Sequence, residues 1–228
     1  MNDQYLNRIT QGDCLDVLRQ LEDNSVDLIV TDPPYGIDYK SGAKTGSRKI
    51  ANDDLIFIWW LFDAHRVLKP SGAMICFVSH HTQHQFHSAI KWAGFRVRQQ
   101  LVWTKNHFGA GALHADFAPQ HEAAWYATKG KFKFWWKGTP GMKRLSTILP
   151  YSKPAYNAKN DARFHPTQKP LKLFEDLITQ CCPPNGVVLD PFSGAGTTAV
   201  AARNTQRKFI AIEMDDEYVQ RSRQRLAG

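Results

Sequence analysis

Short apolar runs alternate along the chain with stretches in which apolar residues recur every three or four positions. The runs are typical of buried strands, and the periodic stretches are typical of amphipathic helices. The runs, together with one alternating stretch, predict strands at residues 26–31, 73–78, 95–103, 123–127, 186–189 and 208–212. The periodic stretches predict helices at residues 14–21, 55–68, 82–92, 169–181, 197–203 and 216–226. This order predicts an α/β fold with a single doubly wound, mostly parallel sheet that carries helices on both faces.

Two stretches interrupt this alternation. Residues 36–54 contain three glycines, two serines and four basic residues, a composition that predicts a mobile loop. Residues 130–163 lack helical periodicity and mix six aromatic residues with several lysines. Because this segment has too few aliphatic residues to form its own core, we expect an insertion within one domain that spans residues 1–228.

The composition is that of a globular domain rather than a disordered chain, with 228 residues, 43% of them hydrophobic and 22% charged. No apolar run approaches the roughly 20 residues that a membrane span needs, and the first residues lack the core of a signal peptide. The four cysteines are scattered or adjacent, which fits neither a disulfide framework nor a Cys-x-x-Cys zinc site. We therefore expect a cytoplasmic protein without a membrane partner.

The positive charge is concentrated in one part of the chain. The formal net charge is +8, and residues 127–172 contain eleven Lys or Arg residues against a single acidic residue, Asp161. Such a segment indicates a polyanionic partner, although a solvated basic surface gives the same pattern.

A glycine-containing turn follows one predicted strand. Residues 189–198 read Leu-Asp-Pro-Phe-Ser-Gly-Ala-Gly-Thr-Thr and lead into a predicted helix. Gly194 and Gly196 would let the backbone approach a ligand, and the helix N-terminus would offer free N–H groups. The turn lacks the third glycine of a dinucleotide fingerprint and the Gly-Lys-Ser/Thr of a P-loop. Since the next predicted strand ends at Glu213, where a carboxylate would hold a ribose diol, the pattern favours an adenosine-type cofactor without a pyrophosphate.

A proline-containing turn follows another predicted strand. Residues 31–36 read Thr-Asp-Pro-Pro-Tyr-Gly. The two prolines fix φ and leave their carbonyls without local partners, which makes a stiff acceptor. The Asp32 carboxylate and a proline carbonyl can accept both hydrogens of an exocyclic amino group, and Tyr35 offers a face on which an extruded base would stack. A turn that merely ends a strand would explain the prolines but not the carboxylate and the aromatic ring.

Together, Asp-Pro-Pro-Tyr and Asp-Pro-Phe-x-Gly-x-Gly-Thr-Thr resemble the motifs of the S-adenosylmethionine-dependent DNA amino-methyltransferases, which methylate adenine N6 or cytosine N4. The catalytic motif precedes the cofactor motif, as in the circularly permuted β group of that family. The similarity extends over almost the whole chain and includes residues 12–14, 72–79, 95–105, 165–170 and 208–218. Ala211 departs from the pattern, since a glycine is common at this position.

The resemblance implies a class I methyltransferase-like sheet in which the cofactor strand at 186–190 adjoins the catalytic strand at 26–31, a topological switch point. It implies S-adenosylmethionine as the cofactor, no metal, and direct in-line transfer to the amino group of a flipped base. The catalytic residues expected from it are Asp32, Pro33, Pro34 and Tyr35. The cofactor-binding residues expected from it are Asp13, Cys14, Lys169, Asp190, Phe192, Ser193, Gly194, Gly196, Thr197, Thr198 and Glu213.

Double-stranded DNA is the partner that the resemblance implies, because residues 130–163 stand where β-group enzymes carry their target-recognition segment. Lysines there would contact phosphates, and the affinity would then fall steeply with salt. The loop at 36–54 is predicted to be a lid that becomes ordered on DNA. The DNA-contacting residues expected from both segments are Lys40, Lys44, Arg48, Lys131, Lys133, Lys137, Lys143 and Arg144. Analogy with the family also suggests a homodimer.

The sequence favours a site-specific adenine-N6 DNA methyltransferase of a restriction–modification type, prokaryotic or phage-encoded, because the cytosine enzymes of the family more often have Ser at position 32. An N4-cytosine DNA methyltransferase and an RNA amino-methyltransferase remain alternatives. A protein glutamine methyltransferase usually has Asn in place of Asp32 and has no need of a basic segment. A silent DNA-binding module would not need intact cofactor and acceptor motifs.

Several other side chains are predicted to be structural. His80, His84 and His87 would share one face of a continuous helix, but without a complementary Cys or carboxylate they indicate a polar face rather than a metal site. The remaining residues that we interpret as structural are His114, Asp116, His121, Glu122, Cys181 and Cys182, together with Trp59 and Trp60 in the core.

Overall fold

The structure is a computed structural model that describes residues 3–36, 55–107, 114–115, 117–135, 141, 143–155, 164–165 and 167–228. These residues form an eight-stranded sheet and six helices. The strands are β1 (Arg8–Gln11), β2 (Val26–Thr31), β3 (Leu68–Val78), β4 (Arg96–Thr104), β5 (His121–Thr128), β6 (Ile148–Pro150), β7 (Val187–Asp190) and β8 (Lys208–Glu213). The helices are α1 (Cys14–Gln20), α2 (Trp60–Val67), α3 (Gln83–Trp92), α4 (Leu171–Cys181), α5 (Thr197–Asn204) and α6 (Asp216–Ala227).

The strand order is β1-β8-β7-β2-β3-β5-β4-β6, and within the described sheet only β5 runs antiparallel to its neighbours. The predicted α/β fold with a mostly parallel sheet is confirmed. The predicted neighbours, β7 and β2, lie side by side at the centre, with Leu28 opposite Val188 and Ile29 opposite Leu189. Two segments far apart in sequence therefore end at the same edge of the sheet, where open α/β sheets bind their ligands.

Helices cover both faces of the sheet, because alternate residues of each central strand point to opposite sides. Ile29 of β2 packs in one core cluster with residues of α1, α2 and α3. Leu28 and Val30 pack in a second cluster with residues of α4 and α5. Among the helices of the described residues, none combines the length and the apolar character that a membrane crossing requires.

Helix α2 differs from its prediction at residues 55–68, since it begins only at Trp60. The buried face of α2 is formed by Trp60, Leu61, Ala64 and Val67. Trp59 lies outside that face and is 58% exposed, where its ring stacks on Phe62. The prediction that Trp59 packs in the core is therefore wrong, whereas the prediction for Trp60 is confirmed.

The part of 130–163 that the structure describes is joined to the sheet rather than separate from it. β6, which was not predicted, pairs in parallel with β4. Aromatic and aliphatic side chains of the segment pack against the second core cluster, namely Phe132, Phe134, Leu145 and Tyr151. The Gln180 side chain of α4 accepts a hydrogen bond from the Leu145 N–H, 2.7 Å away. Packing on a shared core thus compensates for the few aliphatic residues of the segment.

Candidate active site

A cavity of about 1160 Å³ opens where β2 and β7 end. All four predicted catalytic residues line it, and so do all the predicted cofactor-binding residues except Gly196. The fold therefore brings the proline turn and the glycine turn to one cavity, although they lie at opposite ends of the sequence. Ligand cavities in proteins usually measure about 300–1,000 Å³, so this one is large enough for more than one small ligand.

Asp190 links the two central strands. Its Oδ1 accepts hydrogen bonds from Thr31 Oγ1 at 2.8 Å and from the Phe192 N–H at 3.1 Å, and its Oδ2 accepts one from Thr198 Oγ1 at 2.5 Å. Burial raises the pKa of Asp190 to about 6, although these hydrogen bonds oppose the rise. The described contacts give Asp190 a structural task, which is to hold the glycine turn against the catalytic strand. Its direct contact with a cofactor stays a prediction.

The glycine turn owes its shape to two positive φ angles. Gly194 has φ +49° and lines the cavity, whereas Gly196 has φ +72° and precedes α5 as its N-cap. A Cβ at Gly196 would lie 2.9 Å from the Cβ of Ser222 in α6. The packing of α6 therefore requires a glycine at position 196, and the contact of Gly196 with a cofactor stays a prediction. Thr197 serves the same packing, since its hydroxyl lies 2.9 Å from the Arg225 guanidinium.

Glu213, at the end of β8, holds the glycine turn from the other side. Its Oε2 accepts a hydrogen bond from the Gly194 N–H at 2.7 Å, and its Oε1 accepts one from the Asp215 N–H at 2.9 Å. Each carboxylate oxygen has a second lone pair, so Glu213 can still accept hydrogen bonds from a diol. Burial raises the pKa of Glu213, and the backbone hydrogen bonds limit that rise.

The remaining predicted cofactor-side residues form the wall between β1 and β7. Asp13 is the N-cap of α1, where its Oδ1 accepts a hydrogen bond from the Leu15 N–H at 2.7 Å. Burial raises the pKa of Cys14 to about 12, which keeps its thiol neutral. The ring of Phe192 packs edge-on against Trp60, with centroids 5.3 Å apart. These contacts shape the wall without closing the cavity.

Asp32 lies among charged and polar groups. Tyr35 donates a hydrogen bond through its hydroxyl to Asp32 Oδ1, and the Lys169 ammonium donates one to Asp32 Oδ2 at 2.5 Å. Burial raises the pKa of Asp32, and the positive charge of Lys169 limits the rise. The structure therefore places Lys169, which was predicted on the cofactor side, in direct contact with Asp32, the carboxylate that was predicted to be catalytic.

Glu122 is the acidic neighbour that the sequence analysis interpreted as structural. It lies on β5, with its Oε2 2.9 Å from the Lys169 ammonium and its Oε1 2.7 Å from the Lys105 ammonium. Burial tends to raise the pKa of Glu122, but Lys169 and Lys105 lower it to about 2. No motif marks this residue, because its contacts come from three separate segments.

The predicted DNA-contacting lysines fall into two groups. Lys40, Lys44, Arg48 and Lys137 lie outside the described residues, as does all of the predicted lid at 36–54 except Gly36. The other four are exposed, namely Lys131, Lys133, Lys143 and Arg144.

The exposed four do not lie at the cavity. β5 runs antiparallel from Glu122 at the cavity to Thr128 at the opposite edge, and residues 131–133 follow that far end. The nearby Trp135 N–H donates to the carbonyl of Gln180, near the end of α4. α4 begins beside Lys169 and its eleven residues carry the chain about 16 Å away. Lys153, in contrast, lines the cavity.

The histidines do not form one helical face. α3 begins at Gln83, so His80 precedes the helix that contains His84 and His87. The rings of His80 and His81 are in contact, with centroids 3.8 Å apart and planes tilted by 40°, and both residues line the cavity. Asp116 lies outside the described residues. Cys181 and Cys182 are buried, which agrees with their interpretation as structural residues.

Comparison with known proteins agrees with this geometry. The crystal structure of an M1.HpyAVI–SAM complex superimposes with a TM-score of 0.73 at 30% identity, covering 96% of this chain and 98% of that one. PvuII DNA methyltransferase, described as cytosine-N4-specific, shares the fold with a TM-score of 0.76 at 21% identity, over 95% of this chain and 85% of that one. The fold is that of the class I methyltransferases.

Sequence comparison identifies the family of the chain. YubD of Escherichia coli strain K12 is 35% identical over 229 residues, which cover 98% of this chain and 91% of YubD. The type II methyltransferase M.BglII of Bacillus subtilis is 31% identical over 264 residues, covering 99% of this chain and 70% of M.BglII. The family model of the N6/N4 DNA methylases matches residues 26–224. The chain belongs to this family and is a DNA amino-methyltransferase.

Proposed function

We propose that the protein transfers a methyl group from S-adenosylmethionine to the N6 amino group of adenine in double-stranded DNA. The observation that carries the proposal is the meeting of the Asp-Pro-Pro-Tyr turn and the glycine turn in one cavity, joined by the hydrogen bond from Thr31 to Asp190. Methyl donor and acceptor amine can then lie side by side in one cavity. Orientation of this kind contributes about 7–11 kcal/mol in well-aligned reactions.

The residues on the glycine-turn side fit S-adenosylmethionine, which supplies an electrophilic methyl group when bound. Glu213 keeps lone pairs for a ribose diol. Within the described residues, the buried Ser193 Oγ and Gln168 Nε2 have no hydrogen-bond partner, and both residues line the cavity. A ligand with hydroxyl, amino and carboxylate groups would satisfy such atoms, which are costly to leave unpaired.

On the other side, Asp32 and Pro33 orient the amino group. A carboxylate offers about four acceptor positions, and Tyr35 and Lys169 use two of them on Asp32. The free positions accept one amino hydrogen, and the Pro33 carbonyl accepts the other. These hydrogen bonds favour a pyramidal nitrogen whose lone pair is less delocalised into the ring. The hydrogen bond from Tyr35 to Asp32 fixes the tyrosine ring beside the turn, where a flipped base would stack on it.

Adenine is the proposed target because position 32 is Asp, where the cytosine enzymes of the family more often have Ser. The test is nucleoside mass spectrometry of DNA from cells that express the wild type or Asp32→Ala. We expect N6-methyladenine with the wild type and none with Asp32→Ala. N4-methylcytosine would instead identify a cytosine enzyme, and methylation confined to RNA would overturn the DNA substrate.

The matched control is Asp27→Asn. Asp27 lies at the other end of the same strand, where its Oδ1 pairs with Lys69 at 2.8 Å and its Oδ2 accepts the Val187 N–H. This variant removes a partly buried charge without touching the cavity, so it should still methylate DNA. Loss of methylation in both variants would mean that Asp32→Ala acts through folding.

A further inference from the structure

We propose that Glu122 is a positioning residue for methyl transfer, which shares the ammonium group of Lys169 with Asp32 and so keeps Asp32 able to accept the amino hydrogens. The inference rests on the amino-methyltransferase activity of the chain and not on the choice of adenine over cytosine.

The geometry puts one ammonium group between two carboxylates. Lys169 Nζ lies 2.5 Å from Asp32 Oδ2 and 2.9 Å from Glu122 Oε2. The Lys169 side chain is only 5% exposed, so water competes little with the two carboxylates for its ammonium group. Lys105 holds the other oxygen of Glu122 at 2.7 Å. Each oxygen of Glu122 therefore lies at ion-pair distance from an ammonium group, and Glu122 cannot turn away from Lys169 without losing an ion pair.

The charges of Lys169, Lys105, Asp32 and Glu122 compensate one another only when all four are present. A buried ammonium is costly unless it is paired, and a single carboxylate would pair it. Lys169 is paired with two carboxylates, those of Asp32 and Glu122, and Glu122 is also neutralised by Lys105. Without the charge of Glu122, Lys169 would interact with Asp32 alone. A carboxylate held by an undivided ammonium is a weaker acceptor for a further N–H donor, because its negative charge is already compensated.

The other titratable groups that face Asp32 do not supply this function. Burial raises the pKa of Tyr35 and of Cys76 well above the usual values, so both are neutral. Asp190, on the neighbouring β7, uses both oxygens for hydrogen bonds to Thr31, Thr198 and the backbone. Among the described residues around Asp32, the negative charge that competes with it for Lys169 is that of Glu122.

The test is the pH profile of single-turnover methyl transfer from radiolabelled S-adenosylmethionine to unmodified amplified genomic DNA, measured for the wild type, Glu122→Gln and Glu122→Asp. Glu122 raises the pKa of Asp32 and also that of Lys169. Removing the charge of Glu122 should therefore move both limbs of the pH profile to lower pH, the acidic limb through Asp32 and the alkaline limb through Lys169. We expect Glu122→Gln to lower the rate constant near neutral pH about tenfold, with the affinity for S-adenosylmethionine changed by less than about twofold.

Glu122→Asp keeps the charge and should restore the positions of both limbs, even if its rate stays below that of the wild type. A Glu122→Gln profile that is lower throughout but has unmoved limbs would show a purely structural role and overturn the inference. Unchanged rate and limbs would overturn it as well. A wild type that labels neither adenine nor cytosine in DNA would instead overturn the assigned reaction, so the two failures are distinguishable.

Discussion

The two halves of the sheet hold their part of the cavity by different means. On the glycine-turn side, the carboxylates of Asp13, Asp190 and Glu213 accept hydrogen bonds from backbone N–H groups two residues further along the chain. The other half, which contains the proline turn with Asp32, is the acceptor side. There Asp32 is held by Lys169, which is 137 positions away in sequence, and Lys169 is held by Glu122 on the antiparallel strand β5. The glycine-turn side is thus held mainly by hydrogen bonds between residues close in sequence, and the acceptor side by ion pairs between residues far apart in sequence.

This difference has a physical reason. A cofactor that binds in every turnover is well served by rigid turns, since hydrogen bonds to the backbone fix the position of each carboxylate. In the proposed reaction, the acceptor amine needs a carboxylate that stays ionised although it is largely buried, and burial alone raises the pKa of Asp32. A neighbouring ammonium opposes that rise, which is why the charges are concentrated on the acceptor side.

Lys169→Met should have the largest effect on the acceptor side, on both stability and methyl transfer. Removing a partner from a buried ion-pair cluster costs about 3–5 kcal/mol of unfolding free energy. The cost arises because Asp32 loses its ammonium partner and Glu122 keeps only Lys105. The pKa of Asp32 should rise further, so methyl transfer at neutral pH should fall about 100-fold and recover partly at higher pH. Chemical denaturation and single-turnover assays at several pH values measure both effects. A loss of activity that does not recover with pH would contradict this account.

Asp190→Asn should change how stability depends on pH. The pKa of Asp190 is raised to about 6 in the folded protein, against about 4 in an unfolded chain. Between these values the folded state binds the proton more tightly, so wild-type stability falls as pH rises. Relative to that of Asp190→Asn, the unfolding free energy of the wild type should fall by about 3 kcal/mol between pH about 4 and pH about 6. Chemical denaturation at several pH values measures the unfolding free energies of both proteins. A difference between them that stays constant over this pH range would disprove the prediction.

Gly196→Ala should destabilise the glycine-turn side by combining a strained φ with a steric contact. Positive φ costs a non-glycine residue about 1–2 kcal/mol. Gly141→Ala is the matched control, because Gly141 has φ +75° and a Cβ there would meet nothing within 4 Å. Gly196→Ala should cost more than Gly141→Ala, since its Cβ would lie 2.9 Å from that of Ser222. Adding Ser222→Gly to Gly196→Ala should remove the excess; an unchanged excess would rule out this contact as its cause.

The smallest effect concerns DNA affinity. Lys153→Ala should weaken binding to duplex DNA a few-fold and lower the slope of log affinity against log salt by about 1, as expected for one lost phosphate contact. Lys131→Ala should have less effect, because Lys131 follows the far end of β5. Fluorescence anisotropy at several salt concentrations compares the two variants. An equal loss with Lys131→Ala would show that the duplex also reaches the far edge of the sheet, as the basic composition of 130–163 predicts.

The same contrast explains which features could be predicted from the sequence. Asp190, the glycine turn and Glu213 are close neighbours in motifs, so their spacing alone indicated a ligand turn. The adjacency of β2 and β7 required the family resemblance, since no local pattern relates strands so far apart. Glu122 could not be found in this way, because its importance comes from a strand reversal and two distant lysines. Trp59 was misplaced because apolar character does not tell which side of a helix will be covered.

The antiparallel direction of β5 also limits how the chain can vary. β5 pairs with β3 in an unbroken register from Ala73 opposite Thr128 to Val78 opposite Ala123. Because side chains on a strand alternate between its faces, one residue inserted within β5 would turn Glu122 to the opposite face of the sheet. If Glu122 acts as proposed, a single-codon insertion inside β5 would therefore lower methyl transfer while leaving every recognisable motif intact.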